Sequence, residues 1–220
     1  MNGAESLVRT LLAGGVDVCF TNPGTSEMHF VAALDAVPGM RCSLCLFEGG
    51  VTGAADGYYR MAGRPASTLL HLGPGLANGV SNLHNAKKAG SGIVNIVGEH
   101  ATYHIELDAP LTAHIEGIAA PVSHWVKTSL SSKDVARDGA EAIQAAQVAP
   151  GQIATLILPG DTAWNEADGP AEIPAFAARP KVEQSKVDAA ATMLKGGAKT
   201  LILLGGAALQ EANLQLAGKV

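Results

Sequence analysis

An α/β domain on a parallel sheet, with helices on both faces, is the fold class that this sequence predicts, and three observations predict it. Short apolar runs at 16–20, 67–72, 93–97 and 153–158 have strand length and are bounded by Gly, Pro and Asn. Between them lie stretches with helical apolar spacing, and alternation of this kind implies parallel strands covered on both faces. The composition agrees: 47% of the 220 residues are hydrophobic, 16% are charged and 26 are glycine, which suits a well-buried α/β protein.

Each element has its own reason. Ala4, Leu7, Val8, Leu11 and Leu12 repeat at i, i+3, i+4, i+7 and i+8, an amphipathic helix stopped by Gly14 and Gly15. A strand over 16–20 leads into the turn Asn22, Pro23, Gly24, Thr25, after which Thr25 or Ser26 can cap a helix carrying Met28, Val31 and Leu34. Residues 41–47 read as a buried strand, followed by a helix over about 48–61. The strands over 67–72 and 93–97 enclose a helix predicted at 76–89, and a helix over 134–147 precedes the strand at 153–158. Residues 1–165 form one domain on this reading. Residues 166–184, rich in Pro and Ala, read as a linker. A new unit begins near 185, with a helix carrying Val187, Ala190, Ala191 and Leu194 and a strand over 200–204. One helix, one strand and part of another helix cannot close a core, so 185–220 reads as the start of a truncated second α/β domain.

Bulk properties exclude several function classes. A net charge of −5 without a basic run argues against nucleic acid and anionic membrane as partners. No stretch reads as a membrane span or a signal peptide, which predicts a cytoplasmic protein. Cys19, Cys42 and Cys45 form an odd count, typical of reduced thiols. Cys42 and Cys45 make a C-x-x-C, but it sits in a predicted strand without a second Cys/His pair at zinc spacing.

Ligands of such sheets bind beyond the carboxyl ends of the strands. Three segments follow strands there: 22–26, Glu48 and 71–78. Glu48 stands between apolar residues and the small residues Gly49, Gly50, Gly53, Ala54 and Ala55. A buried carboxylate without a partner costs several kcal/mol or changes its pKa, so Glu48 needs a partner or a task. The residues alone allow a plainer reading, a first-turn acid complementing the helix dipole. His71 is equally readable as a satisfied strand-end histidine, and Gly73, Pro74 and Gly75 as a tight strand-to-helix connection. Their spacing is G-x-G-x-x-x-G without a Walker lysine, so a phosphate loop is not indicated.

The run from Glu48 through Asp56, Gly57, Tyr58, Tyr59 and Arg60, followed by His71, Leu72, Gly73, Pro74, Gly75, Leu76, Ala77 and Asn78, resembles the pyrimidine-binding domain of thiamine-diphosphate enzymes. Acetolactate synthase large subunits are the nearest group, with benzoylformate decarboxylase close by. Asn22, Pro23, Gly24 and Thr25 match the family's first active-site loop, and the resemblance covers about residues 1–165. It implies the thiamine-diphosphate-binding fold and a catalytic Glu48 that hydrogen-bonds N1′ of the aminopyrimidine and shares a proton with it. The chemistry requires that carboxyl to sit in a dry site. Pro23, Gly24, Thr25, His71, Pro74, Gly75 and Asn78 take cofactor-contact positions. Thr25 or Ser26 can meet a substrate carboxylate, and His71 can act as a catalytic proton donor or acceptor.

The resemblance further implies a 2-keto acid substrate and a homodimer or tetramer. The diphosphate and its Mg2+ are bound in the family by a domain absent from these residues, supplied by a second subunit. No metal site is expected in this chain, and the tail resembles the start of the family's flavoprotein-like middle domain. Some residues depart from the acetolactate synthase pattern. His71 stands where those enzymes have Thr or Ser, Pro110, Leu111 and Thr112 follow Asp108 and Ala109, and Glu99 follows Gly98 in place of Gln. His100, His104, Glu106, His114 and Glu116 crowd one segment but fit no common zinc spacing. The expected function is that of an acetolactate synthase-like decarboxylase or carboligase, a transferase, inactive as these residues alone. A benzoylformate decarboxylase-like lyase is the alternative, and a non-catalytic assembly module is the rival from another class.

Overall fold

The structure, a computed structural model, describes residues 1–175 and 181–220. The chain divides into two compact units, Met1–Phe176 and Ala177–Val220.

Unit 1 is built on a six-stranded sheet in the order β2-β1-β3-β4-β6-β5, with every pair parallel. The strands are β1 (Val18–Asn22), β2 (Arg41–Leu44), β3 (Ala66–Leu70), β4 (Ile93–Glu99), β5 (Trp125–Thr128) and β6 (Ile153–Pro159). The helices between and around them are α1 (Gly3–Ala13), α2 (Met28–Ala36), α3 (Glu48–Ala62), α4 (Leu72–Ala89), α5 (Ile115–Ala119), α6 (Val135–Ala146) and α7 (Gly160–Trp164). Asn2 caps α1 by accepting the Glu5 amide at 2.9 Å.

Two apolar layers cover the sheet. Leu7, Leu11, Phe30 and Ile143 pack with Leu69, Ile96 and Leu156 on one face. Val51, Leu76 and Leu83 pack with Leu70, Ile93, Val97, Ile153 and Ile157 on the other. Neighbours such as Leu69 and Leu70, or Ile96 and Val97, go to opposite layers because strand side chains alternate. At about 1.5–3 kcal/mol for each fully buried large aliphatic side chain, these layers dominate the stability. A buried polar ladder crosses the sheet between paired positions. Thr68 Oγ1 donates to Asn95 Oδ1 at 2.7 Å, and Asn95 Nδ2 donates to Thr155 Oγ1 at 3.0 Å. Satisfied in this way, the ladder escapes the cost of an unpaired buried polar group.

Several sequence expectations change. The first strand lies two residues later than predicted. β2 ends at Leu44, and all four of its residues are exposed, so Glu48 does not follow a buried strand. The reason is position: β2 is the outer strand next to β1, and nothing described covers its flank. α4 begins at Leu72, so Gly73, Pro74, Gly75 and Asn78 lie in its first turns and not in a loop. Pro is tolerated there because the first helical amides have no intrahelical acceptor. Neither β5 nor α5 was expected from the sequence. Residues 166–175 have no helix or strand, but Ala167 N donates to Met1 O at 3.0 Å and Ala171 N to Thr10 Oγ1 at 3.1 Å.

In unit 2 the helix expected after 185 is α8 (Gln184–Lys195), followed by α9 (Glu211–Ala217). The strand expected over 200–204 is absent, since no neighbouring strand pairs with it among the described residues.

Candidate functional site

The chain runs from β1 outward to β2, then returns across β1 to β3 on its other side. Strand order therefore reverses beside β1, and the crevice between the carboxyl ends of β1 and β3 is where an open α/β sheet holds ligands. The sequence-predicted residues gather around this crevice.

From β1 the chain passes through Pro23 and Gly24 into a 3-10 turn, Thr25–Glu27. Neither Thr25 nor Ser26 caps α2, contrary to the expectation for these hydroxyls. Glu27 performs the local fastening: its Oε2 accepts the Gly24 amide at 2.7 Å. Asn22 Nδ2 donates to Cys45 O at 2.7 Å, which ties the end of β1 to the segment leading to Glu48.

Glu48 opens α3 and is half-buried, with Phe47 exposed beside it and Gly49 buried. Asn78 Nδ2, from α4, donates to Glu48 Oε2 at 3.1 Å, while among the described residues none hydrogen-bonds Oε1. The small residues after Glu48 let α4 come close: Asn82 Nδ2 donates to Gly49 O at 2.7 Å, and Thr52 Oγ1 to Gly79 O at 3.0 Å. The small residues after Glu48 thus serve as room for a neighbouring helix.

His71 ends the β3 connection and precedes α4. Its Nδ1 lies 2.7 Å from Glu27 Oε2. A Cβ at Gly24 would fall on the His71 ring, so the close approach requires glycine there. Leu72, the next residue, is fully buried with φ 54, in the left-handed region that bulky residues avoid. Strain of this kind costs on the order of 1–3 kcal/mol and collects at functional sites. Gly75 lies between the two proposed catalytic side chains. A Cβ there would sit 3.4 Å from His71 Cβ and 3.5 Å from Glu48 Oε1.

Glu27 went unnoticed in the sequence, and Glu99 was noted there only as a departure from the family pattern. Glu27 is buried, and burial pushes its carboxyl above the usual 4.5, opposed by the Gly24 amide and by His71. Glu99, at the end of β4, is likewise pushed up, first by burial, with Glu27 adding to the effect. Its Oε1 accepts the His100 amide at 2.7 Å. The spacing from Gly24 to Glu27, with the acid at the third position of a helical turn, is the signal that could have revealed Glu27.

His100 and His104 stack edge to face with centroids 5.4 Å apart, and Glu116 Oε1 accepts from Thr128 Oγ1 at 2.6 Å. Among the described residues no group of three or more His, Cys, Asp or Glu side chains could hold a metal ion. No described helix is long and apolar enough to cross a membrane. The fit to a thiamine cofactor rests on Glu48: a half-buried carboxylate with one oxygen oriented by Asn78 and the other uncommitted can receive a ring nitrogen.

Residues 1–123 match the family described as thiamine pyrophosphate enzyme, N-terminal TPP binding domain. IlvX of Mycobacterium tuberculosis (strain ATCC 25618 / H37Rv), which carries the name of an acetolactate synthase large subunit, is 54% identical over 100% of this chain and 42% of its own length. Benzoylformate decarboxylase of Pseudomonas aeruginosa is 34% identical over 75% of this chain and 31% of its own. The fold is shared with a thiamine diphosphate-dependent 4-hydroxybenzoylformate decarboxylase of Rhodococcus jostii RHA1, with a TM-score of 0.79 and 24% identity over 89% of this chain and 38% of that one. The chain thus spans less than half the length of these relatives. By the residues matched and by the crevice they build, the chain belongs to the thiamine pyrophosphate enzyme family and carries its N-terminal TPP-binding domain.

Proposed function

We propose that residues 1–165 supply the pyrimidine-binding half of the active site in a thiamine-diphosphate-dependent enzyme acting on a 2-keto acid. One observation carries this reading: Glu48, oriented by Asn78, and His71, fastened by Glu27, flank Gly75 at the point where strand order reverses. Glu48 Oε1 is the oxygen available to N1′ of the aminopyrimidine: the protonated carboxyl would donate to that ring nitrogen, and the carboxylate would accept from it once the proton has moved. Pro23, Gly24, Thr25, Pro74, Gly75 and Asn78 border the ring. When bound, the cofactor supplies the electron sink that decarboxylation requires. His71 moves a proton at a substrate oxygen or carbon, and the uncapped hydroxyls of Thr25 and Ser26 meet the substrate carboxylate.

The diphosphate and its Mg2+ belong to residues outside this chain, on a second subunit of a homodimer or tetramer. The exposed apolar residues Leu44, Leu46, Phe47 and Met61, around Glu48 and α3, offer that subunit a seat. Residues 166–184 are assigned as the connector and 185–220 as the beginning of a middle domain. Three free cysteines suit a reducing, cytoplasmic setting. Acetolactate synthase-like carboligation is the leading chemistry, given the 54% identity to the mycobacterial relative. The His71–Glu27 contact favours a benzoylformate decarboxylase-like lyase as the second reading, because that chemistry needs a proton donor beside the substrate.

The test is Glu48→Gln in the assembled enzyme. Hydrogen–deuterium exchange at the thiazolium C2 should fall by about 10²-fold or more, in keeping with loss of a positioned acid–base group. Exchange at the wild-type rate sinks the role given to Glu48. Failure of thiamine diphosphate and Mg2+ to bind the assembled wild type, by calorimetry, sinks the enzyme reading in favour of an assembly module.

A further inference from the structure

We propose that Glu27 is a positioning residue for His71: its Oε2 takes the Nδ1–H, holds the ring in one tautomer and leaves Nε2 as the nitrogen that meets substrate. The consequence for turnover rests on the His71 role proposed above; the geometry does not.

Three observations support it. First, two groups converge on one oxygen. Glu27 Oε2 lies 2.7 Å from Gly24 N and 2.7 Å from His71 Nδ1. A backbone amide can only donate, so Oε2 is already an acceptor, and an acceptor oxygen on a carboxylate draws a second N–H donor. Second, the carboxyl has no alternative place to go. It is 3% exposed as a residue, and its other oxygen, Oε1, is buried without a hydrogen-bond partner among the described residues. A Cβ at Gly98 would collide with Oε1, so the backbone of β4 presses directly on the carboxyl. An orphaned buried oxygen costs on the order of 1–3 kcal/mol, and the arrangement persists because its other contacts outweigh that cost. Third, the ring is held from its remaining sides. Gly24 lies against it, and strained Leu72 follows it in the chain. Among the described residues no protein group engages Nε2, whereas Nδ1 is committed.

The proton's place on the ring rests on the geometry of Oε2, because the charge effects on the carboxyl pull in opposite directions. Burial raises the Glu27 carboxyl, and Glu99 is the other acid close enough to interact with it. The Gly24 amide and His71 act in the opposite direction, favouring the ionised carboxylate. A histidine whose second nitrogen is fastened by a buried carboxylate has a defined tautomer and orientation.

The experiment reads the tautomer directly, in the 220-residue chain labelled with nitrogen-15 at histidine. His71 is identified by the signals lost in His71→Asn, and long-range proton–nitrogen spectra near neutral pH report which ring nitrogen carries the proton. The expected wild-type result is Nδ1–H in excess over Nε2–H by about tenfold or more, the weight of one hydrogen bond to a charged group. Glu27→Leu keeps the volume and removes both carboxyl oxygens; it should lose that excess with the circular dichroism spectrum unchanged. Wild-type His71 protonated at Nε2, or a folded Glu27→Leu that retains Nδ1–H, overturns the proposal. If Glu27→Leu does not fold, Glu27→Asp is read in the same way, because it draws the carboxylate back by one methylene and should reduce the excess. The turnover of His71→Asn in the assembled enzyme then separates the two claims. The expected tautomer with undiminished turnover retains the positioning by Glu27 and removes the catalytic role of His71.

Discussion

Units 1 and 2 use the same kinds of segment, amphipathic helices and apolar runs, yet only unit 1 buries them. α1 hides Leu7 and Leu11 completely, whereas α8 leaves Val187 and Leu194 exposed. The run at 93–97 becomes a fully buried strand, while Leu201, Ile202, Leu203 and Leu204 remain without a strand and mostly exposed. No described residue of 181–220 is buried. The difference lies in partners and not in pattern: an apolar stripe states a demand for burial, and only a neighbouring strand or helix meets it. The contrast recurs within unit 1, where β1 is largely buried and its neighbour β2 is exposed along its length.

Three measurements can break or sharpen this comparison. The largest effect is expected from the cores. Phe30→Ala, at a fully buried site, should cost about 3–5 kcal/mol in urea unfolding. Leu201→Ala, at an exposed site in unit 2, should stay within about 0.5 kcal/mol. Comparable losses at both sites would mean that unit 2 buries its apolar residues after all. The next effect separates β1 from β2. Burial pushes the Cys19 thiol up from 9.0 to about 12, while Cys42 on β2 is exposed. Because thiolate is the reactive form, iodoacetamide at mildly alkaline pH should label Cys42 and leave Cys19 unmodified on a tryptic map. Labelling of Cys19 at the rate of Cys42 would show that the edge of unit 1 opens readily.

The smallest effect concerns the acids of the crevice. Glu99 has a folded pKa above 4.5, raised first by burial. The sign follows from linkage: the contribution of such a carboxyl to stability is complete below 4.5 and is lost as pH rises through the folded value. Glu99→Gln, which can still accept the His100 amide, should match the wild type in acid and melt slightly higher at neutral and alkaline pH. A melting difference that is independent of pH would contradict the burial of this acid.

Much of the fold was legible because strand and helix periods are local properties. Both apolar layers follow from alternation in 93–97 and 153–158 and from the stripe in α1. β5 escaped because Trp125, Val126, Lys127 and Thr128 mix apolar and polar residues at an outer strand that is only half-buried. The early start of α4 escaped because Gly73, Pro74 and Gly75 imitate a turn, although Pro is acceptable in a first helical turn. Glu27 escaped because, in Thr25, Ser26, Glu27 and Met28, an acid looks like any solvated first-turn residue. What buries it is the approach of His71 from 44 positions away and the pressure of Gly98 from β4.

By itself, then, the sequence determined the parallel α/β class, the placing of Glu48 and His71 after strands, and the family, because each depends on short-range pattern or on motif identity. The tertiary structure alone decided which apolar segments find cover. It alone decided that the glycines after Glu48 admit a helix, and that Glu27 rather than a hydroxyl fastens the crevice. These outcomes depend on contacts between residues far apart in the chain, where burial, charge and close approach are set by the order of strands in the sheet.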